Sequence, residues 1–97
     1  MTKDEGRAAV NEIQTLIEGF GAPNDQALNR LKHLVSSLRD ALTSEYETEK
    51  LDHLEHWAAI GFSTKGFARF PGGAEGVKES ARASLTTLKH AVRKLPD

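Results

Sequence analysis

The stretch from residue 24 to residue 60 contains neither glycine nor proline, and this constrains the fold more than any other feature of the chain. All eight glycines and all three prolines lie elsewhere, in two groups before residue 24 and after residue 60. Because these two residues interrupt helices most strongly, the pattern predicts long helices joined by short connections. No segment shows the alternation that is typical of a strand.

A first helix is predicted from about residue 3 to residue 20. Thr2 and Glu5 fit a capping box, in which each side chain accepts a hydrogen bond from the backbone N–H of the other residue. Gly21 suits a left-handed helix end, and Pro23 prevents continuation. The apolar residues of this segment recur at helical spacing and are Ala9, Val10, Ile13, Leu16, Ile17 and Phe20.

The second segment, about residues 24 to 60, begins at Asn24, a favourable N-cap residue. Its first half carries a seam of the kind that pairs two helices, formed by Leu28, Leu31, Val35, Leu38 and Leu42. Beyond Leu42 the apolar residues change phase, and two structures fit this change. Either one long helix continues through an inserted half-turn, or the chain breaks near Ser44, which could cap a new helix. We favour the long helix, because no glycine or proline interrupts it.

The last helix is predicted from about residue 74 to residue 95. Glu75 lies near its start and several cations lie near its end, which is the order that the helix dipole prefers. The connection before it, residues 61 to 73, holds three of the four phenylalanines. Gly61 is expected to end the preceding helix, with Phe62 packed on Trp57.

These segments predict an all-α protein with a single domain over residues 1–97, built as a small bundle of three to four helices. The predicted helices span about 3–20, 24–60 and 74–95. A long central helix would leave apolar seams that the other two helices do not cover, and we therefore expect a homodimer. A break at Ser44 would instead allow four short helices to close into a monomer.

Composition excludes several classes of protein. The chain has no cysteine, so it has no disulfide, no thiolate zinc site and no thiol nucleophile. No apolar run approaches the ~18 residues of a membrane span. Asp4, Glu5 and Glu12 lie where a secretory signal would be basic and then apolar. We expect a cytoplasmic protein that makes no membrane contact.

Charge is distributed unevenly along the chain. Residues 1–60 hold six Lys/Arg against eleven Asp/Glu, and residues 61–97 hold seven against three. A basic strip on the last helix lies directly beside its apolar stripe and consists of Lys78, Arg82, Lys89 and Arg93. Cations in that position usually reach acidic residues of a neighbouring helix. We favour pairing with the acidic stretch 40–55, either within one chain or between subunits, and we keep nucleic-acid binding by the strip as an alternative function.

One polar cluster offers a weak candidate metal site. Glu49, Asp52, His53 and His56 share one helix face, but their spacing matches neither the zinc-protease pattern nor that of di-iron bundles. We favour a solvated polar face over a metal- or small-ligand-binding bundle. The sequence also indicates no activated nucleophile, no carboxylate with a raised pKa and no phosphate-binding loop. We therefore expect no enzyme activity and no cofactor.

The remaining candidates are Phe67 and Phe70, two large apolar side chains in a glycine-rich connection. They either cover the end of the core or anchor a partner, with Lys65 and Arg69 as the polar surround. We expect a small regulatory or adaptor protein that binds an unknown protein through Lys65, Phe67, Arg69 and Phe70.

Overall fold

The computed structural model describes residues 1–97 and contains five helices and no strand, which confirms the all-α class. The helices are α1 (Lys3–Ile17), α2 (Asp25–Ala41), α3 (Glu45–Gly61), α4 (Thr64–Arg69) and α5 (Gly73–Val92). The prediction of three to four helices is therefore too low. The central segment is divided into α2 and α3, and the connection 61–73 contains the short α4.

The four long helices form an up-and-down bundle, in which α1 packs on α2, α2 on α3, α3 on α5 and α5 on α1. The short connections make consecutive long helices antiparallel. The last helix returns beside the first, and the backbone N–H of Lys3 donates to the carbonyl of Pro96 at 2.7 Å. The short α4 packs on both α3 and α5 at one end of the bundle. None of the helices has the length and apolarity needed to cross a bilayer.

Two predicted helix starts are confirmed. In the capping box of α1, the N–H of Glu5 donates to Thr2 Oγ1 at 3.2 Å, and the N–H of Thr2 donates to Glu5 Oε1 at 2.9 Å. Asn24 caps α2, since its Oδ1 accepts a hydrogen bond from the N–H of Ala27 at 3.0 Å. These caps depend only on residues three positions apart, and for this reason the sequence could specify them.

The continuous helix over residues 24–60 is wrong, and the break at Ser44 is what the structure contains. Leu42 leaves the helical conformation, with φ −113° and ψ 96°. Ser44 then caps α3, and its Oγ accepts a hydrogen bond from the N–H of Glu47 at 3.1 Å. At about 100° per residue, a straight helix would turn Leu51 about 180° away from Leu42. The break reverses the chain and lets both residues enter one core.

A single apolar core runs through the bundle, and all four long helices contribute to it. The stripe predicted for α1 is buried apart from the half-buried Leu16. The apolar stripe of the last helix is also buried apart from the half-buried Leu95, and it consists of Val77, Ala81, Leu85, Leu88, Val92 and Leu95. Met1 and Tyr46 are the exposed large hydrophobic residues. The uncovered seams from which a homodimer was expected are therefore absent, and the dimer stays a prediction without that support.

Close packing at one end of the bundle depends on Gly61. A Cβ at this position would overlap the ring of Phe20, and the carbonyl of Gly61 accepts a hydrogen bond from the N–H of Gly21 at 2.9 Å. The ring of Phe62 packs edge-on against Phe20, with the centroids 5.0 Å apart. The expected contact between Phe62 and Trp57 is wrong, because α3 continues through Gly61 with no left-handed turn.

Replacement of Ser44 by alanine should lower the free energy of unfolding by about 0.5–2 kcal/mol, since the cap of α3 is lost. Urea denaturation measures the change. Thr43→Ala, at the neighbouring exposed position, is the control and should change stability by less than about 0.5 kcal/mol. Equal effects of the two substitutions would contradict the role of Ser44 in the break.

Gly61→Ala should lower the free energy of unfolding by about 1–3 kcal/mol, because the new methyl group forces the Phe20 ring out of its place. The direction of the change in stability is informative, because a glycine-to-alanine change at an unobstructed helix position stabilises a protein by up to about 1 kcal/mol. Thermal unfolding of Gly61→Ala beside Ala59→Ser, at an exposed position of the same helix, measures the difference. A stabilised Gly61→Ala protein would show that the two helix ends are not in close contact.

Candidate functional site

The short α4 closes the end of the bundle where α3 finishes and α5 begins. Ser63 caps it, since its Oγ accepts a hydrogen bond from the N–H of Gly66 at 3.3 Å. Gly66 lies against the backbone of α3, because a Cβ there would come within 2.9 Å of the carbonyl oxygen of Ile60. The helix ends at Phe70, directly before Pro71, where the backbone becomes extended. Both ends of α4 are therefore fixed by local contacts.

Three aromatic side chains pack against the core at this end of the bundle, and we call Trp57, Phe67 and Phe70 the aromatic cap. Phe70 packs edge-on against Trp57, with the ring centroids 5.4 Å apart and the planes at 79°. All three residues pack against the core and are only half-buried. Gly76 makes room for them, because a Cβ there would overlap the carbonyl of Pro71 and lie 3.2 Å from the Phe70 ring. The rings cover the core and also keep surface accessible to solvent.

Lys65 and Arg69 extend from α4 beside the aromatic cap, and both are exposed. No carboxylate lies within 4.0 Å of either side chain. The structure thus brings all four predicted partner-binding residues, Lys65, Phe67, Arg69 and Phe70, into one small region. Trp57 belongs to the same region. The sequence placed Trp57 near this helix end but gave no sign of its contact with Phe70.

Charged pairs join three of the four seams between long helices. Arg30 of α2 donates two hydrogen bonds to the Glu12 carboxylate of α1, one of them at 2.8 Å. These bonds lower the pKa of Glu12 and raise the pKa of Arg30. Arg82 of α5 makes a similar two-bond contact with Glu18 of α1, at 2.9 and 2.8 Å.

The third pair joins α2 to α3 and uses part of the acidic stretch 40–55. Arg39 lies 2.6 Å from a carboxylate oxygen of Asp52 and 3.4 Å from one of Glu55. Burial of the guanidinium opposes its charge, but the hydrogen bond to Asp52 and the two carboxylate charges outweigh this and raise the pKa of Arg39. The acidic stretch is therefore partnered by α2.

Within one chain the basic strip of α5 does not pair with residues 40–55, and that form of the expectation is wrong. Lys78 contacts Glu75 of its own helix at 3.1 Å, Arg82 contacts Glu18, and Lys89 donates to the amide oxygen of Gln14 at 2.6 Å. The strip faces α1 because the break at Ser44 fixes the order of the helices around the core. Two of the four cations, Lys78 and Arg82, are neutralised by carboxylates, whereas Lys89 has only a neutral amide as partner and Arg93 has no partner. The strip therefore offers two uncompensated charges rather than the four that were predicted for a nucleic-acid backbone.

The weak metal candidates do not converge on a common point. His53 lies 3.8 Å from Glu49, one turn away on α3, while Asp52 is turned toward Arg39. His56 packs edge-on against Trp57, with the centroids 4.9 Å apart. Nowhere in the chain do three or more histidine, aspartate or glutamate side chains gather closely enough to hold a metal ion. This geometry gives no support to the metal-binding alternative.

Comparison with protein families, with curated proteins and with solved structures finds no match to this chain. The function is therefore argued from the geometry alone.

Three surface clefts lie between the helices. The largest, about 400 Å³, lies between the start of α3 and the end of α5 and is lined by Ser44, Tyr46, Glu47, Thr87, His90, Ala91 and Lys94. A second, about 220 Å³, lies between α1 and α5 and is lined largely by cations. Neither cleft is visible in the sequence, because each combines two segments that lie forty or more positions apart in the chain.

The pair of Glu12 and Arg30 predicts a dependence of stability on pH. The pKa of Glu12 is lowered in the folded protein. Its contribution to the free energy of unfolding is therefore complete above the ordinary pKa of 4.5 and is lost as the pH falls through the folded-state pKa. Arg30→Gln should raise the pKa of Glu12 and weaken this dependence. Carboxyl NMR titration measures the pKa, and Lys32→Gln, at an exposed position of the same helix, is the control. An unchanged pKa in Arg30→Gln would contradict the assignment.

Proposed function

We propose that this protein is a non-enzymatic binding protein, and that the end of the bundle formed by α4 binds an acidic segment of another protein. The observation that supports this is the combination of the aromatic cap with two cations that have no carboxylate neighbour. Lys65 and Arg69 lie on the same six-residue helix as Phe67. Lys65 and Arg69 share one face of this helix, and Phe67 lies on the other side, toward the core. Positive charge and partly exposed aromatic surface therefore occur on different faces of the same end of the bundle.

The aromatic cap suits the centre of an interface. Tryptophan, phenylalanine and arginine are all enriched in protein interfaces, and tryptophan and arginine are also enriched among the residues that dominate binding energy. The rings of Trp57 and Phe70 are fixed by their mutual edge-on contact and by packing on the core. A partner that covers them would remove apolar surface from water without having to order the rings first.

Charge favours an acidic partner over a neutral or basic one. Arg30, Arg39 and Arg82 each have a carboxylate partner across a helix seam. Lys65 and Arg69 have none, so carboxylates of a bound segment could approach them without displacing an internal partner. Complementary charge of this kind raises the association rate and selects against positively charged competitors.

The helix α4 is held in place by its N-cap and by close packing on its neighbours. Its start is held by the cap from Ser63, and its contacts with α3 and α5 are as close as Gly66 and Gly76 allow. A surface that is already ordered loses little conformational entropy when it binds. We therefore expect binding with little movement of the backbone at this end of the bundle.

The test uses charge reversal, because removal of the half-buried rings would also weaken the core. Lys65→Glu with Arg69→Glu should leave the fold intact and abolish capture of the partner from an extract of the native host. The control is Lys32→Glu with Lys94→Glu, two exposed lysines with no ion pair. This control changes the net charge by the same amount and should still capture the partner.

The captured protein and the segment of it that contacts α4 test whether the partner is acidic. Quantitative mass spectrometry should find a protein that the wild type and the control retain and the α4 variant loses. Cross-linking should place a segment of that protein with net negative charge beside α4. Equal capture by the two double variants, or a contact segment with net positive charge, would refute the proposal.

A further inference from the structure

The second cleft lies between the start of α1 and the end of α5, at the opposite end of the bundle from α4. Six residues line its volume of about 220 Å³, namely Arg7, Val10, Asn11, Lys89, Val92 and Arg93. Three are cations, one is a neutral amide, and the two valines are buried core residues. No carboxylate lines the cleft.

These three cations are poorly neutralised by the protein itself. Arg93 forms no ion pair, and the hydrogen-bond partner of Lys89 is the uncharged amide of Gln14, at 2.6 Å. Arg7 has only Asp4, at 4.0 Å, and the side chain of Asp4 is 93% exposed. Like charges held close together repel, and an anion between them removes that repulsion.

The contrast with the rest of the same seam is informative. The residues of α1 that face α5 recur at helical spacing, at positions 7, 11, 14 and 18. Glu18 pairs with Arg82 through two hydrogen bonds. Toward the start of α1 the next residues are the amides Gln14 and Asn11 and then the cation Arg7, while α5 continues with Lys89 and Arg93. Charge matching across this seam therefore ends at Glu18.

We propose that this cleft binds the phosphate or pyrophosphate group of a small ligand. Two guanidinium groups, one ammonium and one side-chain amide provide several N–H donors around one small volume. Guanidinium groups form paired, charge-assisted hydrogen bonds to phosphate oxygens, and such bonds are the stronger ones in proteins. The buried Val10 and Val92 form the apolar floor of the cleft.

This inference is independent of the proposed function. The cleft and α4 lie near opposite ends of α5, a helix about 30 Å long at about 1.5 Å per residue. A variant of one region therefore leaves the other unchanged, and failure of either proposal does not decide the other.

The experiment is an NMR titration of the full chain with inorganic pyrophosphate at low ionic strength, where screening is weak. Saturable shifts are expected in the amides near residues 7–11 and 89–93. Arg7→Gln with Arg93→Gln should weaken binding by about tenfold or more. Lys32→Gln with Lys50→Gln removes the same charge from two sites on α2 and α3, away from the cleft and from α4, and should change affinity by less than about twofold.

Further variants and ligands show whether the fold is intact and which phosphate-containing group is bound. Asn11→Asp places a carboxylate in the cleft and should also weaken binding, while circular dichroism confirms that each variant is folded. Inorganic phosphate, pyrophosphate and ADP compared in the same assay show whether the group alone or a nucleotide is preferred. Shifts that do not saturate, equal weakening by the two charge-removing double variants, or binding of duplex RNA or DNA but not of pyrophosphate would overturn the proposal.

Discussion

The reversal of the chain between Leu42 and Ser44 is the constraint on which the rest of this structure depends. Two apolar seams lie on opposite sides of the segment 24–60, and a straight helix could bury only one of them against a neighbour. The extended backbone at Leu42 and the cap at Ser44 fold α3 back on α2, so that both seams meet α1 and α5 in one core. The bundle is closed as a consequence, and no long seam is left for a second copy.

The position of α4 follows from that closure. Once α3 runs antiparallel to α2, its last residues lie beside the end of α1, and contact there is close because Gly61 has no side chain. The chain must then cross from α3 to α5 over the end of the core. The rings of Phe67 and Phe70 cover that end and keep part of their surface accessible. One segment therefore completes the core and presents an aromatic surface beside two cations.

The distribution of charge is organised by the same arrangement of helices. Arginine and carboxylate side chains are paired across three seams. Among the cations with no carboxylate within 4.0 Å, Lys65 and Arg69 lie on α4, and Lys89 and Arg93 line the cleft between α1 and α5. Since unpaired surface charge costs little in water, these positions do not weaken the fold. What distinguishes these two places is a second feature beside the charge, namely partly exposed aromatic rings at α4 and a cleft with three cations between α1 and α5.

The sequence by itself determined the class of the fold, the caps at Thr2 and Asn24 and the apolar stripes of α1 and α5, because each depends on residues within a turn or two of one another. It also placed Lys65, Phe67, Arg69 and Phe70 in one connection. Only the tertiary structure decided between a continuous and a broken central helix, the partners of the basic strip, the contact of Trp57 with Phe70, and the position of Arg7 and Arg93 on one cleft. The physical reason is that these features depend on burial and on charge interactions between segments distant in the chain. The free energies of such interactions cannot be deduced from a local sequence pattern.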